Sequence, residues 1–445
     1  MIFLKKLKIA IFLSLLIVSL GNVVLSNAIE FEGKIYKNIY VRDINLSNLT
    51  KKEAIEKINK MLDNNSSFSL NFNDKKYVFS KDNIETDYNV EEVVEKAYSI
   101  GRDKGLFSNM KTRSSLAMGK KVILDYSITF DEKKLDKYLK ELNKKIYKKP
   151  KSATIRIING KIVITKDKNG YKLNEDKLKN TIIRKIKDID NEDEIIPTLS
   201  VKPLYSYENL SKINTILGSF ETYFNTNNYN RSDNIKLAAS ATSNILLEKG
   251  EVFSFNSYIQ KSHISKYLKE APVIINGKSE KGIGGGMCQV SSTIYNAALY
   301  SGMKIINVKN HSIPSPYIEK GRDATVSRGI IDLKFSNKFD SPVFIYNQIV
   351  YNKLICTIYG NETDNKDIDI ITETTEVLHN RIIRKNSEKY DLGVKTVEQE
   401  GRKGYKVQTY RIYKSSLGNK TEYIGQSYYP PQDKIIIYGT RELRK

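Results

Sequence analysis

Cysteine and histidine are scarce in this chain, whose 445 residues include 2 cysteines and 3 histidines. No C-x-x-C or H-x-x-x-H pair occurs, so we predict neither a metal nor any other cofactor. A weaker alternative is a zinc site. Its ligands would be Cys288, His311, Asp323 and His263.

The two cysteines do not define a disulfide-rich domain, because a chain of this size can fold without a disulfide bond. A Cys288–Cys356 bridge remains an alternative. Cys356 otherwise fits as a small apolar residue within a strand-like run. Cys288 therefore has no evident structural reason for its position.

Acidic residues are also in deficit, with 51 Asp and Glu against 73 Lys and Arg, a formal net charge of +22. Such an excess favours an anionic partner. The basic residues are spread along the chain and no nucleic-acid motif accompanies them. We therefore predict an anionic cell envelope as the surroundings and no binding to nucleic acid.

The N-terminus has the layout of an export signal. Three lysines, the last of them Lys8, precede an apolar run from Ile9 to Leu25, and small residues follow up to Ala28. The run is nearly long enough to span a bilayer, so residues 1–28 are predicted to be a signal peptide or a membrane anchor. Either prediction places the protein outside the cytoplasm, anchored in the membrane or secreted to the cell wall.

The rest of the chain predicts an α+β multidomain protein. Residues 29–150 contain a Thr50–Glu53 capping box before an amphipathic helix, and 151–205 contain an Asn159-Gly160 hairpin signal before another helix. Residues 211–360 form a third α+β unit, which contains the chemistry. In residues 368–442, apolar and polar residues alternate, which is typical of a small all-β module.

The sequence Gly284-Gly285-Gly286-Met287-Cys288 leads directly into a helical pattern that ends at Gly302. Cys288 is predicted to be the N-cap or first residue of this helix, where the helix dipole favours a thiolate. The glycines would let a substrate carbonyl approach backbone N–H groups. This pattern predicts an activated cysteine that carries out acyl transfer.

A strand predicted after that helix ends just before His311, and Asp323 follows twelve residues later. We predict that His311 is the general acid and base for Cys288 and that Asp323 orients its imidazole. The alternative for His311 is that it is an ordinary polar surface residue. The alternative for Asp323 is that it caps a turn or forms a salt bridge with Arg322. The residues predicted to bind substrate or stabilise an oxyanion are Gly285, Gly286, Gln289, Ser292, Glu251 and Arg322.

Several separate motifs resemble the VanW domain family in their order. They include 219–224, 230–234, 250–256, 284–288, 310–312, 321–326 and 331–337. The first two units resemble the peptidoglycan-binding repeats of exported Gram-positive proteins. Residues 368–442 resemble a G5 domain, a module associated with cell-wall and glycan adhesion.

The VanW resemblance implies an L,D-transpeptidase that joins peptidoglycan stem peptides through a cysteine and forms 3–3 cross-links. No motif of the YkuD family of L,D-transpeptidases occurs. The implied partners are stem peptides and glycan. Two alternatives are a cysteine-dependent peptidoglycan carboxypeptidase or amidase, with water as acceptor, and a non-catalytic wall-binding accessory protein of glycopeptide resistance.

Overall fold

The protein is described here by a computed structural model that covers residues 11, 14, 32–275 and 278–442. The predicted export segment, residues 1–28, lies outside the described residues except for Ile11 and Ser14. Within the covered ranges, no helix combines the length and the apolar character that crossing a membrane requires.

The chain divides into two compact units. The first runs to Pro150 and includes Asn169–Lys202, and the second includes Lys151–Lys168 and the chain from Pro203 onward. The segment 151–205, predicted as one unit, is thus divided between the two.

The helices of the described residues vary in length from one turn to four. They are α1 Lys51–Asp63, α2 Val90–Ser99, α3 Leu106–Ala117, α4 Glu132–Ile146, α5 Glu175–Asp188, α6 Tyr207–Leu210, α7 Tyr229–Ala241, α8 Phe255–Lys261 and α9 Met287–Tyr300. Short 3-10 turns occur at Lys81–Ile84, Ile264–Tyr267 and Glu362–Asp364.

The strands form several small sheets. They are β1 Ile39–Val41, β2 Ile44–Asn45, β3 Ser67–Phe72, β4 Lys75–Ser80, β5 Val122–Leu124, β6 Ile155–Ile158, β7 Lys161–Ile164, β8 Gly170–Leu173, β9 Glu194–Ile195, β10 Thr198–Val201, β11 Thr215–Tyr223, β12 Ile245–Leu247, β13 Val252–Ser254, β14 Glu270–Ile275, β15 Lys278–Ile283, β16 Lys304–Asn307, β17 Lys334–Ser336, β18 Val343–Val350, β19 Lys353–Gly360, β20 Ile368–Leu378, β21 Ile382–Asp391, β22 Lys395–Gln399, β23 Gly404–Tyr413, β24 Lys420–Tyr429 and β25 Lys434–Arg441.

The first unit packs helices against sheets of order β2-β1-β5, β4-β3-β9 and β10-β8. The capping box predicted at the start of α1 is confirmed: Thr50 accepts from the N–H of Glu53, and the Glu53 carboxylate accepts from the N–H of Thr50. α4 buries a stripe of apolar side chains at helical spacing. They are Leu135, Leu139, Leu142 and Ile146.

The Asn159-Gly160 hairpin is confirmed, and it belongs to the second unit. Both turn residues have positive φ, 50° and 74°, as a type I′ turn requires. Its strands, β6 and β7, pack with Phe344 and Tyr359.

The second unit is built around α9, which is buried on nearly all sides. It packs against β11 and β19 of an antiparallel sheet of order β11-β19-β18-β12. A helix this apolar belongs in a core, so its position is fixed by packing along its whole length. That rigidity determines where the residues at its N-terminus lie.

The C-terminal part of the second unit, residues 368–441, is all β. It contains two three-stranded sheets, β20-β23-β24 and β21-β25-β22. The predicted fold class is confirmed, with mixed α+β units followed by a small all-β module.

Candidate active site

A glycine turn opens α9. Gly286 is its N-cap with φ at 108°, a conformation that L side chains rarely adopt. A Cβ atom there would lie 2.8 Å from Cγ1 of Ile235 on α7. Packing against α7 therefore requires this glycine. Because the helix starts at Met287, Cys288 is its second residue, not the N-cap or first residue as predicted.

The first helical turn leaves one amide free. Met287 donates its N–H to the carbonyl of Gly284, and Gly286 accepts from Gln289, each at 3.1 Å. Among the residues that the structure covers, no acceptor meets the N–H of Cys288. Helix N-termini commonly expose such donors, which can bind a negatively charged oxygen.

The sulfur of Cys288 is half-buried and faces the backbone of the segment 324–326. Sγ lies 3.5 Å from N and 3.6 Å from O of Val326. Serines of α9 hold this segment: Ser291 Oγ donates to the Ala324 carbonyl at 2.6 Å, and Ser292 Oγ accepts from the Ala324 N–H at 2.9 Å. The thiol therefore lies in a fixed position.

His311 and Asp323 form a tight buried pair, with 6% and 2% of their surfaces exposed. Oδ2 of Asp323 lies 2.6 Å from both the backbone N and Nδ1 of His311. Because Nδ1 is engaged by Asp323, Nε2 is the ring nitrogen left for Cys288, whose side chain lies close enough to influence the pKa of this imidazole. The three residues predicted as catalytic are thus brought together.

The pKa of His311 reflects these contacts. Burial alone lowers it, but the hydrogen bonds to Asp323 and Cys288 and their charges outweigh burial and raise the pKa to about 9. The imidazole therefore carries its proton at neutral pH, beside the sulfur.

Asp323 has a second partner, which the sequence analysis did not identify. The hydroxyl of Tyr429, at the end of β24, donates to Oδ1 of Asp323 and accepts from the N–H of Gly321 at 2.7 Å. Tyr429 is completely buried. It belongs to the all-β module, more than a hundred residues away along the chain, so no local spacing pointed to it.

Arg231 of α7 also lies at this site. Its Nη2 donates to Oε1 of Gln289 at 2.7 Å. Burial lowers the pKa of Arg231, and its guanidinium lies close enough to Tyr317 and Cys288 for their ionised forms to oppose that shift. Arg231 and Tyr317 were not predicted as site residues, although Arg231 belongs to the motif 230–234.

The remaining predicted binding residues have structural partners. Gln289 is buried and donates to Thr222 Oγ1 and to the Tyr223 carbonyl at 3.0 and 2.9 Å. The carbonyl of Gly285 accepts from Nδ2 of Asn234 at 3.0 Å. Both therefore hold the N-terminus of α9 in place.

Arg322 is buried and does not pair with Asp323. Its Nε donates to Asn296 of α9 at 2.7 Å, and its guanidinium lies over the ring of Phe220 at 4.9 Å. Glu251 is exposed, and its carboxylate accepts from the N–H of Glu248 at 2.8 Å. Arg322 thus anchors the loop that carries Asp323, whereas Glu251 closes a turn between β12 and β13.

Both cysteines are free, and Cys356 lies in the core of β19. Across the residues that the structure describes, no cluster of three or more histidine, cysteine, aspartate or glutamate side chains has an arrangement suited to a metal ion.

Three known protein families match separate parts of the chain. Residues 230–359 match the family described as VanW like protein, and residues 77–194 and 369–441 match those described as "Putative peptidoglycan binding domain" and G5 domain. The chain is 34% identical over 236 residues to the uncharacterized protein YoaR of Bacillus subtilis (strain 168), across 53% of this chain and 77% of that protein. The chain belongs to the VanW family.

A second relative is the vancomycin B-type resistance protein VanW of Enterococcus faecalis (strain ATCC 700802 / V583). Identity is 33% over 138 residues, which are 30% of this chain and 50% of that protein. The chain thus spans half the length of this relative. The family matches identify a cell-wall-associated VanW-family protein that also carries a peptidoglycan-binding type of domain and a G5 domain.

Two solved G5 structures align with short parts of the chain. The G5 domain of IgA1 protease is 23% identical, with 17% of this chain and 94% of that chain covered and a TM-score of 0.15. HP0197-G5 is 20% identical, with 16% and 97% covered and a TM-score of 0.12.

We expect His311 to titrate far above an ordinary histidine. In NMR titrations of protein with labelled histidine, its pKa should lie near 9 and should fall in Asp323→Asn, because that variant loses the carboxylate charge. His311→Gln assigns the signal, and His263→Gln is the control that leaves it unchanged. A wild-type value near 6.5 would contradict this description of the site.

Proposed function

We propose that this VanW-family protein is a peptidoglycan L,D-transpeptidase with Cys288 as its nucleophile. The observation that carries the proposal is the position of Cys288 close to a buried imidazole whose Nδ1 is held by Asp323. Nucleophile, base and orienting carboxylate in this order are the arrangement that cysteine acyl transfer requires.

In the first half of the proposed reaction, the Cys288 sulfur attacks the carbonyl that joins a diamino acid to the terminal D-alanine of a donor stem. The free N–H of Cys288 and the positive end of α9 stabilise the oxyanion that forms. His311 then gives its proton to the departing amine as the C–N bond breaks. The products are D-alanine and a thioester on Cys288.

In the second half, the side-chain amine of a diamino acid on another stem attacks the thioester. His311 takes a proton from this amine, the C–S bond breaks, and the thiolate of Cys288 is restored beside the imidazolium. The product is a 3–3 cross-link. If water were the acceptor, the same residues would carry out carboxypeptidase chemistry, so the acceptor decides between these reactions.

Arg231 is proposed to bind the carboxylate of the terminal D-alanine. Its guanidinium is half-buried, lies near the sulfur, and is oriented by its hydrogen bond to Gln289. A guanidinium matches a carboxylate in charge and geometry. This role would place the scissile carbonyl, which is one residue from that carboxylate, next to Cys288.

The location of the protein follows from the same proposal. A peptidoglycan substrate places the catalytic unit outside the cytoplasm, and residues 1–28 would either anchor it in the membrane or be removed on export. The net charge of +22 suits an anionic cell wall.

Purified ectodomain incubated with tetrapeptide muropeptides should produce dimers that contain 3–3 cross-links, detected by mass spectrometry. Cys288→Ala should abolish them, because it removes the sulfur that carries the acyl group in this mechanism. Cys356→Ala is the matched control and should retain activity, since that thiol is buried in β19. Shortened stems without dimers would show that the protein hydrolyses its substrate and does not transfer the acyl group. Stems that remain unchanged would refute the enzymatic proposal.

Arg231→Met should raise KM for a donor with a free terminal carboxylate roughly 10- to 100-fold, the effect expected for a lost charged hydrogen bond. With a donor whose terminus is a carboxamide, the same variant should resemble wild type. Lys236→Met on the same helix is the control, because that side chain is exposed. Equal losses with both donors would show that Arg231 acts only on the fold.

A further inference from the structure

The G5 domain reaches into the candidate active site. Its sheet β20-β23-β24 packs on the loop that carries Asp323: Thr409 Oγ1 donates to the Gly321 carbonyl at 2.9 Å, and Asn310, next to His311, donates its Nδ2 to the Tyr428 carbonyl at 2.8 Å. Two adjacent strands of the module therefore hold both ends of the loop 310–321.

Gly321 shows how close this packing is. A Cβ atom on it would lie 2.8 Å from Oγ1 of Thr409 and 2.9 Å from Cγ1 of Val407, both on β23. Its φ of 89° also disfavours other residues. The loop and the G5 sheet are therefore shaped for each other at this point.

Within this interface, the hydroxyl of Tyr429 is fixed in its role. It accepts from the N–H of Gly321, so its own proton points to Oδ1 of Asp323. Burial, together with the charge of Asp323, raises the pKa of the phenol, which keeps that proton in place. The other oxygen of Asp323 is occupied by His311.

We propose that Tyr429 of the G5 domain is a positioning residue of the active site, acting through Asp323 on His311. The G5 domain then completes the site, in addition to any adhesion to the wall. This inference rests on the proposed function, and it deepens it by assigning part of the catalytic geometry to a separate domain.

Other charged or titratable groups surround the pair and remain in place when the phenol is removed. They are Cys288 and Tyr295 of α9, Tyr317 and Arg322 of the loop, and Arg411 of β23. A change on removal of the hydroxyl can therefore be assigned to its two hydrogen bonds, with Asp323 and with the N–H of Gly321.

The test is Tyr429→Phe in the full chain, which removes the hydroxyl and keeps the ring. Because Tyr429 touches no substrate in this account, kcat should fall about tenfold, as expected for a buried hydrogen bond to a charge, with KM unchanged. The NMR pKa of His311 should also shift, because the carboxylate that meets its Nδ1 loses one of its hydrogen-bond donors. Tyr428→Phe is the matched control, since that side chain is exposed on the same strand.

A double-mutant cycle distinguishes positioning from general stability. If Tyr429 acts through Asp323, then Tyr429→Phe should cause no further loss in an Asp323→Asn background. Additive losses in the double variant would overturn the inference. It would also be overturned if Tyr429→Phe matched Tyr428→Phe in both kcat and the His311 titration.

Two measurements keep the test decisive. If wild-type protein has no transpeptidase activity, the proposed function fails, but the His311 titration still tests the role of Tyr429. If Tyr429→Phe does not reach the melting temperature of the control, both proteins are titrated at a lower temperature at which circular dichroism shows them folded. A shifted His311 pKa relative to the Tyr428→Phe control is then expected, and an unchanged pKa would overturn the inference.

Discussion

The candidate site depends on one buried carboxylate. Asp323 is almost completely enclosed, and a charge in such a position is stable only when hydrogen bonds replace water. Three donors do so: the backbone N–H and Nδ1 of His311 on one oxygen, and the hydroxyl of Tyr429 on the other. Because His311 and Tyr429 belong to different parts of the unit, the carboxylate determines how those parts meet.

The fold around this carboxylate explains why the cysteine is in a fixed position. α9 is buried along its length, and its serines bind the segment that follows Asp323. Arg322 joins the same loop to α9 from the other side through Asn296. Hydrogen bonds therefore join helix, loop and G5 sheet to one another, and in the proposed reaction the electrostatic environment is prepared before substrate arrives.

The sequence predicted the local features well. The capping box, the Asn159-Gly160 turn and the end of α9 before Gly302 were correct because neighbouring residues determine them. The proximity of Cys288, His311 and Asp323 was a hypothesis based on a helix, a strand and a loop in succession, because spacing along the chain does not by itself bring three side chains together. Tyr429 and Arg231 could not be predicted in this way, because one reaches the site from another domain and the other from a helix more than fifty residues upstream. The prediction that Cys288 starts the helix was wrong because the turn at Gly286 places it one residue further along.

The central claim is that Cys288 carries the acyl group. The most direct measurement is intact-protein mass spectrometry of the wild-type ectodomain, mixed with a tetrapeptide donor that has no acceptor amine and quenched in acid. The account predicts a covalent adduct with the mass of the donor minus its terminal D-alanine, attached to Cys288. Turnover of the donor with no adduct trapped on Cys288, or an adduct on another residue, would contradict it.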